Sequence, residues 1–186
     1  KQMESYLKDR GWSVGFNRID GKSFYIEKST VPIGRAITDI DFAQARVLAF
    51  DQAIIQAKGN FARARKRENE VNAYYEFFQD DSNRFRDAES KNRMDILKEK
   101  MLLLSETEID KKLKDLGVDP KEISGKTLVE KRDLFHREFD TTVTTRTLAE
   151  TMSGTKVLAT FEDQTDVGVI LLCSDRLREI ADSIKR

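Results

Sequence analysis

The chain has a single cysteine, Cys173, and a single histidine, His136. One cysteine excludes an internal disulfide, so cysteine usage does not report the redox compartment. One histidine excludes any zinc site or catalytic relay that needs two within one chain. Only two prolines occur, Pro32 and Pro120, and nothing between them interrupts helix by a missing N–H. An excess of one charge sign is also missing: 33 Lys and Arg balance 33 Asp and Glu. The net charge therefore provides no global field to draw nucleic acid or an anionic membrane. No apolar run approaches the roughly 20 residues that span a bilayer. No glycine-rich phosphate loop is spelled, because Gly11 to Gly15 lacks both the lysine and the preceding strand.

What is abundant is alternating charge and phenylalanine, with 11 of the latter in 186 residues. The length suits one elaborated domain or two small ones with a true hydrophobic core. The chain opens at Lys1, and Met3 already sits inside a helical pattern, which predicts a processed or excised piece.

The organising stretch is Asp39–Arg67. Ala45, Ala49, Ala53 and Ala57 recur every four residues, and Phe42, Leu48, Ile54, Ile55 and Phe61 widen their stripe. Such spacing predicts one broad helical face, short enough at its alanines to lie close to a flat partner. Asp39 or Asp41 is the candidate N-cap. The expected partner is a sheet formed by Lys156–Glu162, with Val157, Ala159 and Phe161 on one face, and by the apolar run Val167–Cys173.

Upstream, Met3, Tyr6 and Leu7 predict a short helix ended by Gly11. Asp20-Gly21 predicts a hairpin turn leading into the strand Ser23–Glu27, on which Trp12 and Phe16 pack. Downstream, Val71, Tyr74, Tyr75 and Phe78 continue an apolar helix face as far as a break at Asp80–Asn83. A further amphipathic segment carries Ile96, Leu97, Met101 and Leu104. Ser105 with Glu108 and Thr127 with Glu130 spell two capping boxes, and Asp119-Pro120 starts a turn of helix between them. The second of these helices is expected to run to about Phe139. Thr141–Met152 is rich in β-branched residues and leaves helix and strand open. Ser174 or Asp175 caps an expected last helix with Leu177, Ile180, Ala181 and Ile184.

The predicted class is α+β: a small antiparallel sheet with the alanine-striped helix packed on one face, plus a helical insertion. Residues 1–67 and 141–186 are expected to form the core, and 68–140 the insertion.

Gly34 followed by Ala45-Arg46, Ala49, Ala53 and Ala57 resembles the small-residue signature of an envelope domain. Gly154–Phe161 and Val167–Leu171 resemble its paired strands. That domain occurs in flagellar assembly protein T and in small surface lipoproteins. The segment from Gly11-Trp12 to Tyr25-Ile26 is also similar to an uncharacterised group of proteobacterial exported proteins. The resemblance implies helices on one side of an antiparallel sheet and a periplasmic or exported protein. It transfers no catalytic residue and implies assembly and protein contact rather than chemistry.

The chemical motifs agree. His136 lies between Arg132 and Arg137, which disfavour its protonation and metal binding, and Cys173 ends an apolar strand where an inert thiol is expected. The Asp39/Asp41 and Asp80/Asp81 pairs lie at expected helix ends, and Asp163–Asp166 falls short of a calcium loop. The chain is accordingly expected to be no enzyme and to hold no metal or cofactor. Two surfaces are candidates for partners. Tyr75, Phe77 and Leu102 lie off the main apolar stripes of the insertion, which predicts self-association or a protein partner there. Lys58, Arg63, Lys66 and Arg67 form a basic cluster that a nucleic acid or lipid headgroup would use, although Glu68 and Glu70 offer nearby self-pairing.

Overall fold

A computed structural model describes residues 2–80, 83–177 and 183. In chain order the elements are α1 (Gln2–Lys8), β1 (Gly15–Ile19), β2 (Lys22–Pro32), α2 (Phe42–Phe78), α3 (Asn83–Asp87), α4 (Ser90–Leu102), α5 (Glu106–Asp115), α6 (Pro120–Ile123), α7 (Leu128–Ser153), β3 (Thr155–Glu162) and β4 (Asp166–Cys173). They form two compact units: Lys1–Arg63 with Leu148–Arg186, and Ala64–Thr147. The class is α+β, with one four-stranded antiparallel sheet and the long helix packed against it.

In the first unit, Asp20 and Gly21 both take positive φ (50° and 75°), the conformation that matches a two-residue turn to strand twist. The hairpin they close pairs β1 with β2, and the sheet order is β1-β2-β4-β3. β2 runs well past the Glu27 limit read from sequence, because its second half pairs with β4 from Lys28↔Ile170 to Pro32↔Asp166. β4 is central, and alternate residues serve opposite faces. Val167, Val169 and Leu171 meet Ala49, Ala53, Ala57 and Phe61 of α2. Ile170 joins Ile26 and Leu7 beneath α1, with Met3, Tyr6, Trp12 and Phe24 around them.

Two sequence expectations about this unit need correction. Leu48 and Ile55 do not join the alanine stripe; they are 53% and 69% exposed. Each sits roughly 100–160° round the helix from Ala49 and Ala53, toward the outer face of α2. Nor do Val157, Ala159 and Phe161 share a face. The β3–β4 register shifts between Val157 and Ala159, so the extra residue Leu158 inverts the alternation. Val157 packs toward α2, whereas Leu158, Ala159 and Phe161 pack on the α1 side. Ser174 Oγ accepts the Leu177 N–H at 3.3 Å, as an N-cap would. The remainder of the expected last helix, with Ile180, Ala181 and Ile184, lies outside the described residues.

In the second unit, the helices enclose Ala73, Tyr74, Phe85, Leu97, Met101, Ile109, Leu113, Phe135, Phe139 and Val143. Both capping boxes form: the N–H of Ser105 donates to Glu108 at 2.8 Å, and that of Thr127 to Glu130 at 2.7 Å. Asp119 caps α6, with Pro120 in its first turn. The Thr141–Met152 ambiguity resolves as helix, since α7 continues unbroken to Ser153. Val143 is buried in the helical core, and Thr147 Oγ1 donates to the Val143 carbonyl at 2.8 Å. Tertiary burial and local side-chain bonding thus override the β propensity of the threonine run.

Candidate functional site

The most concentrated chemistry lies in a cavity of about 140 Å³ in the second unit. Lys66 and Glu70 are one turn apart on α2. Arg93, Met94 and Leu97 come from α4, Phe139 and Asp140 from α7, and Phe85 from α3. Arg93 is 5% exposed; one terminal nitrogen, Nη1, lies 3.2 Å from Glu70 Oε2 and 3.3 Å from the Arg67 carbonyl. Its Nε is buried without an acceptor. Lys66 Nζ meets Asp140 Oδ1 at 2.9 Å. Burial raises the Glu70 pKa and lowers that of Arg93, each against the pull of its partner. Two cations and two anions thus offset one another beside apolar walls. The arrangement contains no nucleophile–base pair and explains itself as a desolvated ion pair that fixes α2 against α4.

Lys66 therefore already has an anion. Of the other basic candidates, Arg63 donates to Asn60, and Arg67 reaches the Arg86 carbonyl at 3.5 Å. Lys58 is exposed. Lys58 and Arg63 belong to the first unit and Lys66 and Arg67 to the second, and the four do not share one helix face. Neighbouring Arg65 pairs with Glu68.

His136 is half-buried, and its Nδ1 is enclosed without a partner. Its pKa is depressed first by burial and then by Lys98, not by the arginines beside it in sequence. Arg132 instead donates to the Met101 and Leu102 carbonyls, and Arg137 to Glu138. Cys173 is half-buried in the layer between sheet and α2. A larger cleft of about 360 Å³ in the first unit is lined by Met3, Thr30, Glu162, Asp163 and Asp166. Asp163 is occupied in its own turn, accepting the N–H groups of Thr165 and Asp166 at 2.9 and 2.8 Å. Among the described residues no group of three or more His, Cys, Asp or Glu is arranged to hold a metal ion. No described helix is long and apolar enough to cross a membrane.

The apolar partner candidates separate. Phe77 is half-buried and packs edge-on against Phe135 and Phe139, with ring centroids 6.0 and 6.2 Å away. Tyr75 and Leu102 remain exposed, at 54% and 63%. Leu103, at 82%, and Val129, at 64%, are also exposed. Arg132 ties the last turn of α4 to α7 through the Met101 and Leu102 carbonyls, and Val129 lies one turn before it. The result is an exposed apolar edge where α4 ends and α7 begins. The Met101–Leu104 run was its visible signal, but which of the four leucine and methionine side chains face outward depends on where α4 stops.

A family model for a domain of unknown function, DUF6844, matches residues 94–186, half of the chain. This chain belongs to the DUF6844 family. The DUF6844 match begins within α4 and includes all of α5 to β4. A 2.3 Å crystal structure of hypothetical protein FTT1539c from Francisella tularensis is similar at 19% identity, with a TM-score of 0.47. The similarity covers 100% of this chain and 46% of that one, so the chain spans less than half the length of that neighbour. Comparison with curated proteins gives no match.

Proposed function

We propose that the chain is a non-catalytic structural or assembly module of the bacterial cell envelope, acting through protein–protein contacts. The observation that carries the contact role is the exposed apolar edge of Leu102, Leu103 and Val129. Leucines at a helix end cost nothing to replace with polar residues in a free monomer, and grouped apolar side chains left in water are a feature of interaction surfaces. The envelope location rests on the resemblance of the Gly34 and Ala45–Ala57 signature to that of flagellar assembly protein T; the family match and the structural neighbour add nothing to it.

The test places a photo-crosslinking residue at position 103 in the organism that encodes the chain, followed by fractionation. A discrete adduct in the envelope fraction, lost when Leu102→Glu/Val129→Glu is combined with the same crosslinker at 103 and helical circular dichroism is intact, is expected. A cytosolic chain, or one that yields no adduct, overturns the proposal.

A further inference from the structure

The outer face of α2 in the first unit carries a pattern that its own chain does not use. The sheet takes Ala49, Ala53, Ala57 and Phe61. On the opposite side, Leu48, Ile55 and Ala62 recur every seven residues, two turns apart; Leu48 and Ile55 are 53% and 69% exposed, and Ala62 is half-buried. Asp51 and Lys58 flank Ile55 on this outer face. Both are exposed, and neither makes an ion pair or a side-chain hydrogen bond among the described residues. They lie too far apart along the helix axis to meet each other, since about 1.5 Å of rise per residue accumulates between them over two turns. Gly59, also on this side, has only the Arg63 guanidinium near the place a Cβ would occupy, at 3.9 Å.

We propose that this face binds a second copy of the chain, as an antiparallel helix pair with its two-fold axis at Ile55. An isologous contact requires a surface complementary to itself. Here that condition is met residue by residue. Two antiparallel copies centred on Ile55 set Ile55 against its own counterpart and Leu48 against Ala62. Asp51 then falls beside Lys58 and Gly59 of the other copy, and the same pairing repeats on the far side of the axis. Each copy contributes one carboxylate and one ammonium, so both charges find the partner they lack in the isolated chain. Ala62 leaves room for the backbones to approach where Leu48 arrives, and Gly59 does so level with Asp51 of the other copy. A parallel pairing would set the Asp51–Lys58 flank of each copy against the opposite flank of the other, which carries Gln52 and Gly59, and would leave both charges unmatched. The surface is separate from the α4–α7 edge and calls for a different partner.

The closing experiment uses the full chain in sedimentation velocity over a wide concentration series. A concentration-dependent dimer is expected for the unaltered protein. Ile55→Glu should leave only monomer, with unchanged circular dichroism because Ile55 already faces solvent. Asp51→Lys and Lys58→Asp each create like-charge contacts across the axis and should each weaken the dimer. Mixing those two variants should restore it as a heterodimer, since one face then carries only positive charge at the two positions and the other only negative. Ile55→Cys in a Cys173→Ser background should cross-link to itself on oxidation. A chain that stays monomeric throughout overturns the proposal, as does a dimer indifferent to Ile55→Glu. Loss of the dimer in Ile55→Glu without rescue in the mixed charge variants overturns the antiparallel register. Neither result bears on the Leu102–Leu103 edge, whose variants leave α2 untouched.

Discussion

Met3 presses on Gly168. A Cβ built at Gly168 would lie 2.8 Å from Met3 Cε and 2.9 Å from its Sδ. The glycine in β4 is therefore what lets α1 settle on the sheet. Gly168→Ala should destabilise the fold by about 1 kcal/mol, near the lower end for overpacking, because a thioether can swing aside. Combining it with Met3→Ala should recover much of the clash, a coupling that a double-mutant cycle in urea would read directly. Gly154 makes the contrast. Its added Cβ would meet the Glu150 carbonyl at 2.8 Å, which is backbone and cannot swing. Gly154→Ala should cost more than Gly168→Ala.

Ala53 is fully buried between α2 and the sheet, and Ala49 is 3% exposed. Ala53→Leu should overpack that layer and cost roughly 1–3 kcal/mol, seen as a lower denaturation midpoint. Ala43→Leu, at an exposed position on the same helix, should be nearly neutral. Equal effects at both positions would remove Ala53 from the organising contact.

The Arg93–Glu70 pair should behave as a buried ion pair, worth little against apolar replacement yet costly to break. Glu70→Leu leaves the buried Arg93 guanidinium with neither counter-ion nor acceptor on that side and should cost about 3–5 kcal/mol, whereas Glu70→Gln keeps an acceptor and should cost far less. Arg93→Met combined with Glu70→Leu should regain most of that. The pH dependence has a definite sign. Burial raises the folded-state pKa of Glu70, so the native chain takes this proton more readily than the unfolded one. The Glu70 contribution thus makes the fold more stable as pH falls through that raised pKa toward the ordinary value of 4.5. This component should be missing from the pH profile of Glu70→Gln.

His136 acts with the opposite sign. Its folded pKa lies below the ordinary 6.5, because burial and Lys98 penalise the imidazolium. The unfolded chain therefore binds this proton first. Stability from the neutral imidazole is complete above pH 6.5 and declines as pH falls from there through the folded pKa. Chemical denaturation of His136→Phe against the unaltered chain isolates this slope. The two curves should converge in shape above neutrality and diverge in mildly acidic buffer. Glu108, Glu130 and Asp163, whose pKa values are lowered by hydrogen bonds, give up their contributions only further into acid.

Cys173 should react slowly with thiol reagents in the folded chain. Its side chain is half-buried against α2, and its Sγ stands 3.3 Å from the place a Cβ on Gly154 would fill. Labelling should accelerate on addition of denaturant to the rate of an exposed thiol. Rapid labelling without denaturant would place the sulfur at an accessible surface.

Local signals determined the elements. Asp20-Gly21 specified its turn because few other dipeptides accept two positive φ angles, and Ser105–Glu108 and Thr127–Glu130 specified helix starts because each pair satisfies its own free N–H groups. The four-residue alanine spacing determined which side of α2 meets a sheet, since only that side brings backbone close to a flat surface. Tertiary structure decided what local signals weigh equally. Thr141–Met152 became helix through the burial of Val143 and Thr147, not through propensity. The bulge at Leu158 reassigned a face of β3, because an inserted residue is defined only against the strand it pairs with. Arg93 and Glu70 are 23 positions apart, and no spacing rule joins charges that different helices bring together. Leu48 and Ile55 read as core by hydrophobicity alone. Their exposure followed from the angular width of the face that the sheet could cover, and the sequence does not contain that width.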